Sequence, residues 1–469
     1  MAPQIIGNPA VGSEEAALKE AIVEKAGVEF RDQLRQALAN CSLPPRSPQE
    51  SLELETALHE AGREAADGAM AMIVEAALRD PALQTEALAR AYRNPKEFRE
   101  VGIRPTSVRL LGGRTLQIST AYVVKNRRGK PGRKRKCGKR GRAGAGRYPV
   151  LDALGFVAGA TPALAARVAR QSAQSSSFAD ARQDLASFGV RMDVKTVRRI
   201  SYAFASKALA VRQARRTLAG LGAIPKNGEF AGSRVVVGLD GGRLRTREAR
   251  CRGRRRTKTR RRGFDTPWRE PKVCAVYEVN AEGKKTRRLP VYEATLENWE
   301  TAFELFAAAL LRYGVGDAAE LIFVNDGSHT IRDGLDKLIQ RLGIAPTRVT
   351  KVVDYYHAVE KVYEAADLCA AWSQRRRKRW ANRVEKDLRE GRFPAVIEAL
   401  EALCQGRRGK AMRKIADYFT GNEERMRYRA FRRKKIPIGS GMVESTIRRV
   451  VNLRLKGPGI FWKVQNAER

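Results

Sequence analysis

The segment Ser233-Arg-Val-Val-Val-Gly-Leu-Asp240-Gly-Gly242 constrains the fold more than any other stretch of the chain. An apolar run without polar alternation reads as a central strand buried on both faces. Asp240 closes the run, where a sheet opens to water and ions. A carboxylate in that place either begins a Gly-Gly turn or requires a positive partner. The pattern then recurs. Leu321-Ile-Phe-Val-Asn-Asp326 ends in aspartate followed by glycine, and the strand-like run 349–353 is followed by Asp354.

The surrounding sequence supplies the rest of an α/β arrangement. Residues 273–279 and 287–293 read as strands flanking a turn at Gly283. A helix is expected from Thr295, with Leu296, Trp299, Phe303, Phe306 and Leu310 on one face. Another carries Ile331, Leu335, Leu338, Ile339 and Leu342 on its apolar stripe. Strands alternating with helices imply a mixed sheet with a parallel part. Residues 358–435 break the alternation and read as a basic, all-α insertion. Ile436-Pro-Ile-Gly-Ser-Gly-Met-Val-Glu444 then leads into a late helix, with Val443, Ile447, Val450 and Val451 expected toward the core. Gly439-Ser-Gly441 lacks the Gly-Lys-Ser/Thr of a nucleotide loop and reads as a helix entry.

Net charge decides the class of partner. Ninety-one Lys and Arg against 51 Asp and Glu give +40, which points to a polyanion. No apolar run approaches the ~20 residues that span a bilayer, and no export signal opens the chain. A cytoplasmic, nucleoid-associated protein with nucleic acid as its partner, and no membrane, is expected. Six cysteines without a Cys-x-x-Cys pair imply neither a disulfide framework nor zinc.

Upstream of the sheet, segments 14–39, 50–63 and 65–78 read as three helices, a cap or dimerisation piece without chemistry. Residues 108–124 form two β-rich runs around Gly112-Gly113, a hairpin signal. The next eighteen residues, 125–142, hold eleven Lys or Arg and no acid, a composition suited to neutralising phosphates. Residues 178–187 and 194–204 are helices joined through Phe188-Gly-Val190, with Asp193 placed to cap the second. Lys195, Arg198 and Arg199 lie off its apolar face of Val194, Val197, Ile200 and Phe204. This is either an ordinary helix pair or a helix-turn-helix offering a basic turn to a major groove. A second basic segment, 243–262, has twelve Lys or Arg in twenty residues, among them Arg254, Arg255 and Arg256. It is expected to stand outside the core, so that 245–262 can be removed without disturbing the fold.

Three acids now stand where catalysis could use them: Asp240, Asp326 and Glu444. Carboxylates brought that close repel unless divalent cations lie between them, and hard oxygen donors suit Mg²⁺ or Mn²⁺. Two such ions would support phosphodiester displacement without a Ser, Cys or His nucleophile. Two of the chain's three histidines, His329 and His357, each follow an aspartate by three residues, so Asp354, His329 and His357 are accessory candidates.

The motifs Val237-Gly-Leu-Asp240-Gly-Gly, Phe323-Val-Asn-Asp326-Gly-Ser-His329, Val353-Asp-Tyr-Tyr-His357 and Pro437-Ile-Gly-Ser-Gly-Met-Val-Glu444-Ser, with Arg454-Leu-Lys-Gly, resemble bacterial insertion-sequence DDE transposases. The likeness is to the ISKra-type group, related to the Mutator-like transposases, and covers about 107–469. It implies a ribonuclease-H-like catalytic core interrupted by a helical insertion before the glutamate. It also implies Mg²⁺-dependent cleavage and joining of double-stranded DNA at element ends, in a synaptic homodimer. Relatives often carry a Cys-rich zinc motif beside the hairpin; here the basic run stands there, with Cys137 alone. The expected organisation is a helical region (1–106), hairpin and basic linker (107–147), helix-turn-helix-like DNA-binding domain (148–230), core (231–357 and 436–469) and insertion (358–435). DNA contacts are expected from Lys195, Arg198, Arg199, Arg254, Arg255, Arg256, Arg448, Arg454 and Lys456. The alternatives are a non-catalytic DNA-binding regulator descended from a transposase, and a nuclease of the same fold that cuts without joining.

Overall fold

The computed structural model describes residues 9–39, 41–91, 98–125, 146–250, 263–406, 409–457 and 459–469. The chain divides into two compact units, 1–207 and 208–469.

The first unit contains α1 (Pro9–Ala39), α2 (Pro48–Arg79), α3 (Pro81–Ala91), β1 (Phe98–Arg109), β2 (Thr115–Lys125), β3 (Gly146–Arg147), α4 (Pro149–Ala153), α5 (Pro162–Gln174), α6 (Phe178–Ser187) and the start of α7 (Val194–Gly220). The two helices expected between 50 and 78 are one. Nothing there stronger than Gly62 and Gly68 interrupts it, and an interior glycine costs only about 1 kcal/mol against alanine. The continuous helix carries Asp67, 4% exposed, to the hairpin. Its two carboxylate oxygens accept from the backbone N–H groups of Gly112 and Arg114, each at 2.9 Å, and so fix the β1–β2 turn. Strand β1 starts at Phe98 rather than Val108. Its early residues are largely exposed on both faces, with Val101 and Ile103 both outward, so no alternation of buried and polar positions marks them. The expected boundary at 106 therefore falls inside a strand.

The second unit takes in the end of α7, followed by β4 (Arg234–Gly241), β5 (Leu244–Arg245), β6 (Glu248–Ala249), β7 (Phe264–Asp265), β8 (Trp268–Arg269), β9 (Lys272–Glu278), β10 (Val291–Thr295), α8 (Trp299–Arg312), β11 (Glu320–Asn325), α9 (His329–Leu342), β12 (Val349–Val353), α10 (Tyr355–Leu368), α11 (Gln374–Glu390), α12 (Phe393–Glu401), α13 (Gly409–Thr420), α14 (Tyr428–Arg433), α15 (Gly441–Thr446), α16 (Leu453–Leu455) and α17 (Val464–Glu468). Five strands form one mixed sheet in the order β10-β9-β4-β11-β12. The central strand β4 runs parallel to β11 and antiparallel to β9, and β12 is parallel to β11. The fold is mixed α/β.

Both faces of the sheet are covered, which is why its strands read as unbroken apolar runs. Val235, Val237, Leu239, Leu321 and Phe323 pack against Phe306 and Leu310 of α8 and Leu335 and Leu338 of α9. The alternate residues, Val236, Ile322, Val324 and Val352, meet Val362, Leu388, Val396, Ile415 and Phe419 on the other side. The helices of 358–435 are thus the second covering layer of the sheet rather than a separate subdomain, and they begin at Tyr355.

Two local expectations shift. Pro290 has no N–H to give a ladder, so the strand expected at 287–293 runs 291–295 instead. Thr295 consequently ends β10, and α8 starts four residues later behind Asn298, whose Oδ1 accepts from Thr301 N–H at 2.8 Å. Near the C-terminus, Val443 and Val451 are buried as expected, but Val450 is 38% exposed. A π-helical turn over Ile447–Asn452 widens the spiral and rotates Val450 out of the apolar stripe.

The segment after β4 is also more structured than expected. Strands β5 and β8 pair, as do β6 and β7, so that 244–249 and 264–269 form a two-stranded ribbon. Thr246 is fully buried, and Arg247 N–H donates to the Trp462 carbonyl at 2.7 Å. The ribbon's base belongs to the core, so removal from residue 245 would cut into it. Residues 251–262, with Arg254, Arg255 and Arg256, lie outside the described residues, as do 126–145 of the first basic run.

Candidate active site

The parallel register of β4 and β11 pairs Leu239 with Asn325. Asp240 and Asp326, next in each strand, therefore leave the same end of the sheet about 4.8 Å apart in strand spacing. Beyond Asp326 the chain turns sharply at Gly327, whose φ of +75° suits glycine. The Asp326 Oδ1 accepts from Ser328 N–H at 2.9 Å, and the buried Asn325 Oδ1 from Gly327 N–H at 2.9 Å. From α13, Tyr418 Oη donates to the Asp326 carbonyl at 2.9 Å, and from the turn after it Asn422 Nδ2 donates to the Gly327 carbonyl at 3.2 Å. Burial, together with the nearby Asp326 and Asp354, pushes the Tyr418 phenol well above its usual range, so it stays a donor. The sequence carried no local signal for either side chain, because both lie some ninety positions away, on α13 and in the turn after it.

Glu444 arrives on α15. That helix approaches β4 closely because Gly238 has no side chain: a Cβ there would lie 1.9 Å from Val443 Cγ2. Ser440 Oγ donates to Glu444 Oε1 at 3.3 Å. The entry loop is held by Asp354, which is fully buried. One of its oxygens accepts from Tyr356 N–H at 2.6 Å and His357 N–H at 3.4 Å, capping α10. The other accepts from Ser440 N–H at 2.6 Å, while Tyr355 N–H donates to the Ile438 carbonyl at 2.8 Å. Asp354 is thus committed to backbone groups and joins the end of β12 to the loop that delivers Glu444.

Ligand-capable atoms of Asp354, His357 and Glu444 lie within 4.8 Å of one another. His357 Nδ1 is 3.3 Å from Glu360 Oε2. His329 is exposed at the first position of α9 and does not join this group, so the two Asp-x-x-His spacings part company. Burial raises the Asp240 carboxyl from its ordinary value to about 6. The Gly241 N–H, 2.7 Å from Oδ1, and His357 oppose that rise, while Asp326 and Glu444 add to it. Asp240, Asp326, Glu444 and His357 therefore share one electrostatic neighbourhood. Among the described residues, no Lys or Arg forms an ion pair with the three acids. Asp240 and Asp326 are not part of the close-set group of Asp354, His357 and Glu444; they adjoin it, and hard oxygen donors with one imidazole are compatible with a divalent ion.

In the first unit, the first helix of the expected pair and the turn stand as read, but the second helix, expected over 194–204, continues to Gly220. Leu185, Val190, Val197 and Ile200 share a buried core, and Asp193 Oδ1 accepts from Thr196 N–H at 2.9 Å. Gly189 takes φ +78° at the turn. Lys195, Arg198 and Arg199 are exposed; Phe204 is half-buried, and Val194, at the first position of α7, is exposed rather than packed. In the second unit Arg448 and Lys456 are exposed, whereas the Arg454 guanidinium lies 4.7 Å from the Trp462 ring centre. No helix among the described residues is long and apolar enough to cross a membrane.

Comparison with protein-family models and with curated proteins finds no match for this chain.

Proposed function

We propose that the chain is a DDE-type transposase of a bacterial insertion sequence. In this reading it binds the double-stranded ends of its element and catalyses Mg²⁺-dependent phosphodiester hydrolysis and strand transfer into target DNA, with two protomers pairing two ends. The observation that carries the reading is that Asp240 and Asp326 leave adjacent parallel strands at one end of the sheet, with Glu444 near enough to act on the Asp240 charge. The sheet order supports a ribonuclease-H-like core: taken in chain order, the five strands lie third, second, first, fourth, fifth, with the second antiparallel. The exposed Lys195, Arg198 and Arg199 and the charge of +40 suit a DNA partner.

Asp240, Asp326 and Glu444 would hold the metal, with His357 beside them. Mg²⁺ bound there would supply Lewis-acid activation of a phosphodiester and of its attacking oxygen. The chain's own contribution is to fix the carboxylates. The Gly327 turn with its Tyr418 and Asn422 bonds orients Asp326, and the Asp354 clamp orients the loop before Glu444. Exposed arginines of the second unit would draw in the phosphate backbone.

Asp240→Asn, Asp326→Asn and Glu444→Gln test the assignment. Each removes a ligand charge with little change in volume, so cleavage of element-end DNA in Mg²⁺ should fall on the order of 10³-fold or more, while DNA binding changes under about two-fold. A variant that cuts like wild type is not a ligand. Undiminished cleavage in all three would end the reading, and a wild-type chain that binds ends without cutting would be the non-catalytic regulator.

A further inference from the structure

The ribbon that leaves the sheet after Asp240 carries a surface that metal binding does not use. Leu244 and Thr246 are buried, while Arg243, Arg245 and Arg247 alternate with them and face solvent. Across the ladder Arg245 is the register partner of Trp268, and its guanidinium lies 4.9 Å from that ring's centre. Arg247 lies 4.3 Å from the centre of Phe264. Trp268 is 59% exposed, an uncommon position for the largest apolar side chain, and Phe264 is exposed beside it. The ribbon is anchored rather than free, through Thr246 and the Arg247–Trp462 backbone bond. Its aromatic face is therefore presented by a fixed scaffold that starts three residues beyond Asp240.

Arginines at every second position match a sugar–phosphate backbone. A Trp268 ring with an arginine over one face and more than half of its surface still exposed matches something duplex DNA conceals: the π-face of a base. We propose that this ribbon is a binding surface for unpaired nucleotides, with Trp268 stacking a base and Arg243, Arg245 and Arg247 holding the phosphates around it. The inference deepens the transposase reading and rests on it for the biological source of the single strand, namely the DNA opened beside the cut. An acidic peptide would satisfy the arginines but would leave the exposed part of the Trp268 ring uncovered, so nucleic acid is the occupant the surface favours.

The test measures binding of the full chain in EDTA, by fluorescence anisotropy, to a single strand of about 20 nucleotides and to its duplex. Trp268→Ala should weaken single-strand binding about 10-fold and duplex binding under two-fold, and Trp268→Phe should retain most of the single-strand affinity. Trp268 is exposed, so the thermal midpoint serves as a control on folding and should not move. The proposal is overturned by equal losses on both DNAs, by no loss on the single strand, or by a Phe variant as weak as the Ala variant. It is equally overturned if poly-glutamate competes as well as the single strand, which would mark a surface that reads charge alone. Cleavage plays no part in this readout, so a chain that cuts nothing can still pass, and one whose triad is catalytic can still fail.

Discussion

Asp240 is the residue at which folding and the proposed chemistry pull against each other. An acid lifted from 3.8 to about 6 is one whose charged form the folded state disfavours. Between those values the folded chain holds a proton that the unfolded chain has released, so stability falls as pH rises through the window and stays low above it. The penalty at neutral pH is about 2–3 kcal/mol. In EDTA at pH 7.5, Asp240→Asn should therefore melt several degrees higher than wild type, with the advantage shrinking as pH drops toward 4. Mg²⁺ should raise the wild-type midpoint and leave the variant's nearly unchanged, because a ligand stabilises only the state that binds it. A melting series across pH with and without Mg²⁺ decides it. An Asn variant no more stable than wild type at pH 7.5 would mean that Asp240 is not a strained carboxylate. Asp354 stands in contrast: more deeply buried, it accepts three backbone N–H bonds and works as a clamp.

The decisive relation among elements is the seating of α15 on β4. Gly238 sits in the middle of a strand rich in β-branched residues, where a glycine ordinarily weakens packing. Its reason is Val443. Gly238→Ala should push α15 outward, costing about 1–3 kcal/mol as overpacking does and moving Glu444 from its neighbours. Val443→Ala added to it should restore much of both stability and cleavage, a coupling that a double-mutant cycle measures directly. Strictly additive effects would mean that the two side chains do not share that space. The strands themselves were legible in the sequence because burial on both faces leaves unbroken apolar runs, and the recurring terminal aspartates placed Asp240 and Asp326 at one end of the sheet. What the sequence did not disclose depends on partners remote along the chain: why residue 238 is glycine, why Asp67 lies buried in a helix, and that Tyr418 and Asn422 reach the Asp326 turn. The same remoteness concealed that the helices after Tyr355 complete the sheet's own core. Where local signals are weak, as along the exposed first half of β1, the expected strand begins only at its buried end.

At the scale of the whole molecule the dominant fact is charge, and much of it is concentrated in two short segments. Residues 251–262 contain eight Lys or Arg and no acid. They are spliced into the ribbon between Arg250 and Gly263, whose backbone groups are joined by a 3.1 Å hydrogen bond. Replacing 251–262 with a short Gly-Ser turn therefore closes a gap that the ladder already holds shut. The thermal midpoint should stay within about one degree, since no described core contact is lost. A cut starting at Arg245 should instead destabilise the second unit, because it removes the buried Thr246 and the Arg247–Trp462 bond. For DNA binding the replacement should act through phosphates. If all eight cations contact the backbone, the slope of log K against log salt should fall by at most about 7, equally for element-end and random duplex. Cleavage should drop with it and recover in part at low salt, because weakened attraction is what low salt restores. A salt slope left at its wild-type value would place these arginines away from the DNA, and a loss confined to element ends would mean that they read bases.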